Sequence, residues 1–125
     1  MKILVVIARI LLGAVFLFFG LNGFLHFLPA TLPPGLAGQF VTILAQSHYD
    51  LAVSAIQVIG GALLLVNRYV PFALTILGPV IVNILLFHIC LLPAGIAGGL
   101  VCAILWIILF VRYRQNFSGL FVQRA

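Results

Sequence analysis

The sequence predicts an all-α membrane protein: a single four-transmembrane-helix bundle with a short amphipathic helix in its first outer loop. Three observations carry that expectation. The first is composition: 66% of residues are hydrophobic, 6% are charged, and mean hydropathy is +1.40. A soluble domain of 125 residues has no interior large enough to hide so much apolar surface, so lipid is expected to cover it. The second is the collection of apolar residues into four runs, Ile3–Leu28, Tyr49–Val66, Val70–Leu92 and Gly95–Val111. Each is near or above the ~17 residues a helix needs to cross the hydrocarbon core. Backbone exposed to lipid must satisfy its own hydrogen bonds, and the runs lack the alternation of a barrel strand, so each is expected to be helical. The third is the placement of charge. Lys2, Arg9, Arg68, Arg112, Arg114 and Arg124 all fall on one side of a four-span arrangement, which predicts a multi-pass membrane protein with both termini in the cytoplasm.

The first run opens with Met1-Lys2 and continues to Leu28, longer than the apolar region of a secretory signal, and further spans follow it. An uncleaved first span is therefore expected. Arg9 sits about two turns into this run, where its guanidinium is expected to snorkel to the inner headgroups; pairing with a partner subunit is the alternative. Pro33-Pro34-Gly35 breaks the outer loop, and after it Leu36, Phe40, Ile43 and Leu44 recur at helical spacing. That pattern predicts a short helix on the outer leaflet, against the alternative of an irregular loop folded over the bundle. Asp50, the only acid, begins the second span as its expected N-cap. Asn67-Arg68-Tyr69 is a tight turn into the third span, which carries Pro79 at a depth where only a neighbouring group could satisfy a freed carbonyl. Gly95, Gly99 and Ala103 form a small-residue stripe on the fourth span, and Gly13 and Gly20 share a face of the first. Such stripes pack helices within one bundle or join two copies of a chain.

Five uncharged polar side chains interrupt these apolar runs: Asn22, His26, Gln57, Asn83 and His88. Counted inward at ~1.5 Å per residue, His26 lies ~3 Å, His88 ~6 Å, Asn22 and Gln57 ~9 Å and Asn83 ~14 Å from the outer ends of their spans. They occupy the outer half of the expected bundle. Asn22 and His26, four apart, are expected to share a helix face; Asn83 and His88, five apart, are not. Two readings of this layer stand side by side. In one, amides and imidazoles join helices by hydrogen bonds worth ~0.6 kcal/mol each. In the other, they line a small pocket for a lipid or a lipid-soluble quinone, with Phe24, Phe27 and Phe87 as apolar walls. Paired His26 and His88 as haem ligands would lie too near the interface, and two histidines without a third ligand fall short of a zinc site.

Other functions find little in the chain. The net charge of +5 is scattered, with no basic run or aromatic-basic patch to track nucleic acid. Cys90 and Cys102 lack the spacing of a dithiol motif. There is no nucleophile with a base, no phosphate loop and no metal cluster, so independent catalysis is not expected. A transporter or channel would need a continuous polar path, and the inner half offers almost none.

Several segments taken together resemble one family. Arg9-Ile-Leu-Leu-Gly13 leading into Phe19-Gly20-Leu-Asn22, Val58-Ile-Gly60-Gly61 followed by Leu63-Leu64-Leu65, and the stretch from Pro79 to His88 look like the DoxX family of small bacterial four-helix membrane proteins. The resemblance runs over nearly the whole chain, as a pattern of spans and glycines. It implies a membrane subunit associated with a quinone-linked redox complex, as in thiosulfate:quinone oxidoreduction, or a non-catalytic accessory subunit of a larger membrane assembly. Where relatives often carry an acid before the paired glycines of the second span, this chain has Gln57. A homo-oligomer and contacts with other membrane subunits are both compatible with these features.

Overall fold

The structure, a computed structural model, describes residues 2–27 and 32–121. It is helical, with α1 at Lys2–Leu25, α2 at Gly35–Gln46, α3 at Tyr49–Val66, α4 at Val70–Cys90 and α5 at Ile96–Arg112, followed by a 3-10 helix at Arg114–Phe121. No strand occurs among the described residues. α1, α3, α4 and α5 form a closed ring in which each helix packs on the next and α5 returns to α1, while α2 lies outside against α3. Three helices, α1, α3 and α4, are long and apolar enough to cross a membrane. α5 has 17 residues and turns by 86° into the 3-10 helix; it supplies a fourth candidate span only when the bent pair is counted together.

The core follows from helical periodicity. Val5, Ala8, Leu12 and Phe16 recur every three to four residues on one face of α1, and Val70, Ala73, Leu74, Leu77, Val80 and Ile81 do so on α4. Large apolar side chains also point outward: Ile7 and Leu11 on α1, Ile59 on α3, Leu86 and Ile89 on α4, and Ile104 and Ile107 on α5 are all exposed. A bundle apolar on both its inner and outer faces is compatible with a membrane protein.

α1 and α3 meet backbone to backbone. A Cβ added at Gly61 would lie 2.6 Å from the Leu17 nitrogen and 2.7 Å from the Gly13 oxygen, and one at Gly20 would lie 2.9 Å from the Ser54 oxygen. Backbone atoms cannot move aside as a side-chain tip can, so this seam requires glycine. The small residues of α1 and α3 therefore pack inside one bundle. On α5 the stripe residue Gly99 and its neighbour Gly98 differ. Gly99 faces Leu85 and Ile84 of α4, whereas a Cβ at Gly98 would meet nothing within 4 Å.

The helix ends hold several differences from expectation. α1 stops at Leu25 and not at Leu28, which lies outside the described residues. The reason is His26, whose backbone is left-handed at φ +53° while its N–H still donates to the Asn22 carbonyl at 2.8 Å. Asp50 is not the cap of α3; His48, with φ +61°, holds that position and Asp50 falls in the first turn, where its charge still faces the free N–H groups. α3 closes on Asn67, φ +59°, with Arg68 N–H bonded to Leu63 O at 3.1 Å and Asn67 N–H to Leu64 O at 3.3 Å, the reciprocal pair of a Schellman turn. Arg9 is held here as well. Rather than reaching away from the helices, it donates to Leu64 O at 2.5 Å and Leu65 O at 3.2 Å, a cation on the carbonyl end of α3.

The expected helix in the first loop is present, but its large residues seat it only in part, with Val41 and Leu44 half-buried. Ala37 and Gly38 are buried, whereas Leu36 and Ile43 point outward and Phe40 meets the Phe87 ring at 5.7 Å. At the basic end, Trp106 donates its indole N–H to Leu74 O at 2.9 Å, one residue before the carbonyl that Pro79 deprives of its helical partner. Trp106 stacks on Phe110 with centroids 5.2 Å apart, and Phe110 packs on the buried Phe117, which fixes the turn of the 3-10 helix across the bundle end.

Candidate functional site

The five polar residues do not all line one cavity. His26, exposed and beyond the last turn of α1, has left the helical register that would set it over Asn22. Asn22 is half-buried on α1, has a partner of its own and does not line the cleft described next. Asn83 is exposed and its amide folds back onto its own helix, donating to Pro79 O at 2.9 Å. That bond uses one of the two amide hydrogens and lays the side chain along its own helix, and Asn83 is not part of the cleft lining described next.

Gln57 and His88 do come together. They line a cleft of about 340 Å³ between the four ring helices, with Val15, Phe16 and Phe19 of α1, Ile84 of α4, and Gly95, Gly98, Gly99 and Cys102 around α5. Phe19, Gly95 and Gly98 are the exposed members of this lining, so the cleft opens sideways between α1 and α5. The aromatic walls are Phe16 and Phe19 in place of the expected Phe24, Phe27 and Phe87. Phe24 and Phe27 are exposed near the end of α1, and Phe87 turns toward Phe40. Cys102 and Phe16 had no polar signal to single them out. Gly95, Gly99 and Cys102 nonetheless sit at i, i+4 and i+7, the spacing of one helix face.

The polar groups of the cleft are unevenly engaged. His88 Nδ1 lies 3.0 Å from Leu92 O. A carbonyl only accepts, so Nδ1 carries the ring proton. Among the described residues Gln57 has no hydrogen-bond partner and His88 has none at Nε2. Among the described residues no fully buried side-chain nitrogen or oxygen lacks a partner, so these groups reach open space, and both residues line the cleft. Gly95 makes room for the ring: a Cβ there would sit 3.2 Å from His88 Cε1. The arrangement can hydrogen-bond one small polar edge within apolar walls.

A larger hollow, about 570 Å³, lies along α2 between Leu32, Pro33 and Gly38 on one side and Gln39, Thr42 and Ile43 on the other. Its Thr42 hydroxyl is already bonded to Gly38 O at 2.8 Å, and the hollow is built from one helix and the loop before it. The smaller cleft is the better candidate because side chains from four helices converge on it. His26 is not among them, so it and His88 do not make a pair of axial ligands across the cleft. Among the described residues no three His, Cys, Asp or Glu side chains gather to hold a metal. Comparison with family models, curated proteins and solved structures finds no match.

Proposed function

We propose that this chain is a DoxX-like integral subunit of the bacterial cytoplasmic membrane that holds the ring of a lipid-soluble quinone, within a quinone-linked redox complex. The observation that supports it is the cleft, where an amide and an imidazole nitrogen without protein partners stand between Phe16, Phe19 and the glycine face of α5. Polar groups left open in an apolar bundle cost free energy unless a ligand or water engages them. A flat ring with an oxygen at its edge fits both the walls and the polar pair. The opening between α1 and α5 would let an apolar tail remain among lipid chains. The gathering of Lys2, Arg9, Arg68, Arg112 and Arg114 at one end supports cytoplasmic termini.

The test is thermal unfolding of the purified protein in lipid nanodiscs with a short-chain quinone analogue. The analogue should raise the midpoint of wild type by several degrees, and Gln57→Leu, which removes the amide donor, should lose that rise. No rise with any quinone would remove this function.

A non-catalytic accessory role is the second reading. It is favoured by α5, where a Cβ at Gly98 would meet open space at the cleft mouth and Leu100, Val101 and Ile104 are exposed on the other sides of the helix, surfaces suited to a neighbouring helix from another subunit or a second copy. This reading expects co-purification with larger membrane partners after gentle extraction, and no response to quinone.

A further inference from the structure

We infer that the cleft prefers a ring presenting a hydroxyl, the reduced hydroquinone or a phenol, over the oxidised quinone. This rests on the quinone-ring reading above and adds which form of the ring is held. The argument turns on the two nitrogens of His88.

Nδ1 faces the Leu92 carbonyl at 3.0 Å, a contact that is attractive only when Nδ1 carries the proton. The carbonyl is itself fixed, because Leu92 N–H bonds Phe87 O at 3.1 Å and Pro93 follows directly. On another side the Gly95 backbone brackets the ring, close enough that a Cβ there would lie 3.2 Å from Cε1. Turning the ring over would replace Nδ1 with a carbon and leave Leu92 O facing it without a bond. The imidazole is thus held in one orientation and one tautomer. In the neutral ring, Nε2 then carries a lone pair and no hydrogen. It is an acceptor, and no described residue donates to it.

A quinone oxygen is also only an acceptor, so against Nε2 it would oppose lone pair to lone pair. A hydroxyl at the same place donates and completes the bond. Gln57 cannot make this distinction, because its carboxamide offers both a donor and an acceptor. Discrimination between the two forms therefore falls to His88, and its sign is set by the Leu92 carbonyl behind it.

The test uses a redox-inert pair, a long-chain alkylphenol and its methyl ether, binding to the full chain in nanodiscs. It is accompanied by a decyl-substituted benzoquinol and benzoquinone under anaerobic conditions. Wild type should bind the phenol and the quinol about tenfold more tightly than the ether and the quinone, one hydrogen bond's difference. His88→Phe keeps a flat ring but removes the acceptor and should bring each pair level. Gln57→Leu should weaken all four compounds while leaving the ratios. Equal binding of phenol and ether by wild type would overturn the inference while leaving the cleft a ring site. A preference that survives His88→Phe but vanishes in Gln57→Leu would overturn it too, by assigning the choice to the amide. Failure of all four to bind would instead remove the underlying quinone reading. The wild-type comparison decides the matter even if a variant does not fold.

Discussion

Trp106 makes the one side-chain hydrogen bond between α4 and α5 recorded among the described residues, its indole N–H on the Leu74 carbonyl. Trp106→Phe keeps the stacking on Phe110 but loses that bond. It should cost about 1 kcal/mol, read as an earlier midpoint in a denaturing-detergent titration. The two thiols offer a second check. Cys90 is exposed and Cys102 is buried at the cleft wall. A membrane-permeant maleimide should therefore modify Cys90 first, and a bound ring analogue should slow modification of Cys102 without changing Cys90. At this scale the sequence was a poor guide to the site. Depth counted along a helix says how far a side chain lies from an end and nothing of the direction it faces. Of the five polar residues, only Gln57 and His88 reach the cleft. Asn83 is answered by Pro79 on its own helix, and His26 leaves the register through a left-handed backbone that no glycine announced.

Among the elements, α3 and α4 were the most legible. Asn67-Arg68-Tyr69 and Pro71 punctuate the chain there, and the two helices begin and end within two residues of the apolar runs. The packing of glycines was legible only in part, because a stripe states that a helix can come close without saying what comes. The structure separates the two cases. Gly61→Ala sets a methyl group against the backbone of Leu17 and Gly13 and should force α1 and α3 apart, destabilising the bundle by about 2 kcal/mol or more. Gly98→Ala meets open space and should leave unfolding of the isolated chain within about 0.5 kcal/mol of wild type. Should Gly98→Ala release a co-purifying partner while stability is unchanged, the open face of α5 is an interface.

For the whole molecule, the proposed cytoplasmic termini rest on charge placement alone. Single cysteines introduced beside Arg68 and Arg112, in a background lacking the native thiols, should both react with an impermeant reagent from the same side of sealed vesicles. Reaction from opposite sides would end the four-span arrangement. Arg9 adds something that charge counting could not. Its guanidinium donates to the carbonyls of Leu64 and Leu65, 55 and 56 residues later in the chain. During synthesis, the first helix therefore emerges with a cation whose acceptors do not yet exist, and it must wait near the headgroups until the end of α3 is made. The finished clasp imposes a sequence on biogenesis: the α1–α3 hairpin locks only when translation has passed Leu65. A ribosome stalled before that point would display a loosely seated first helix, open to proteases, and one stalled far enough beyond it for α3 to have left the exit tunnel would display a protected pair.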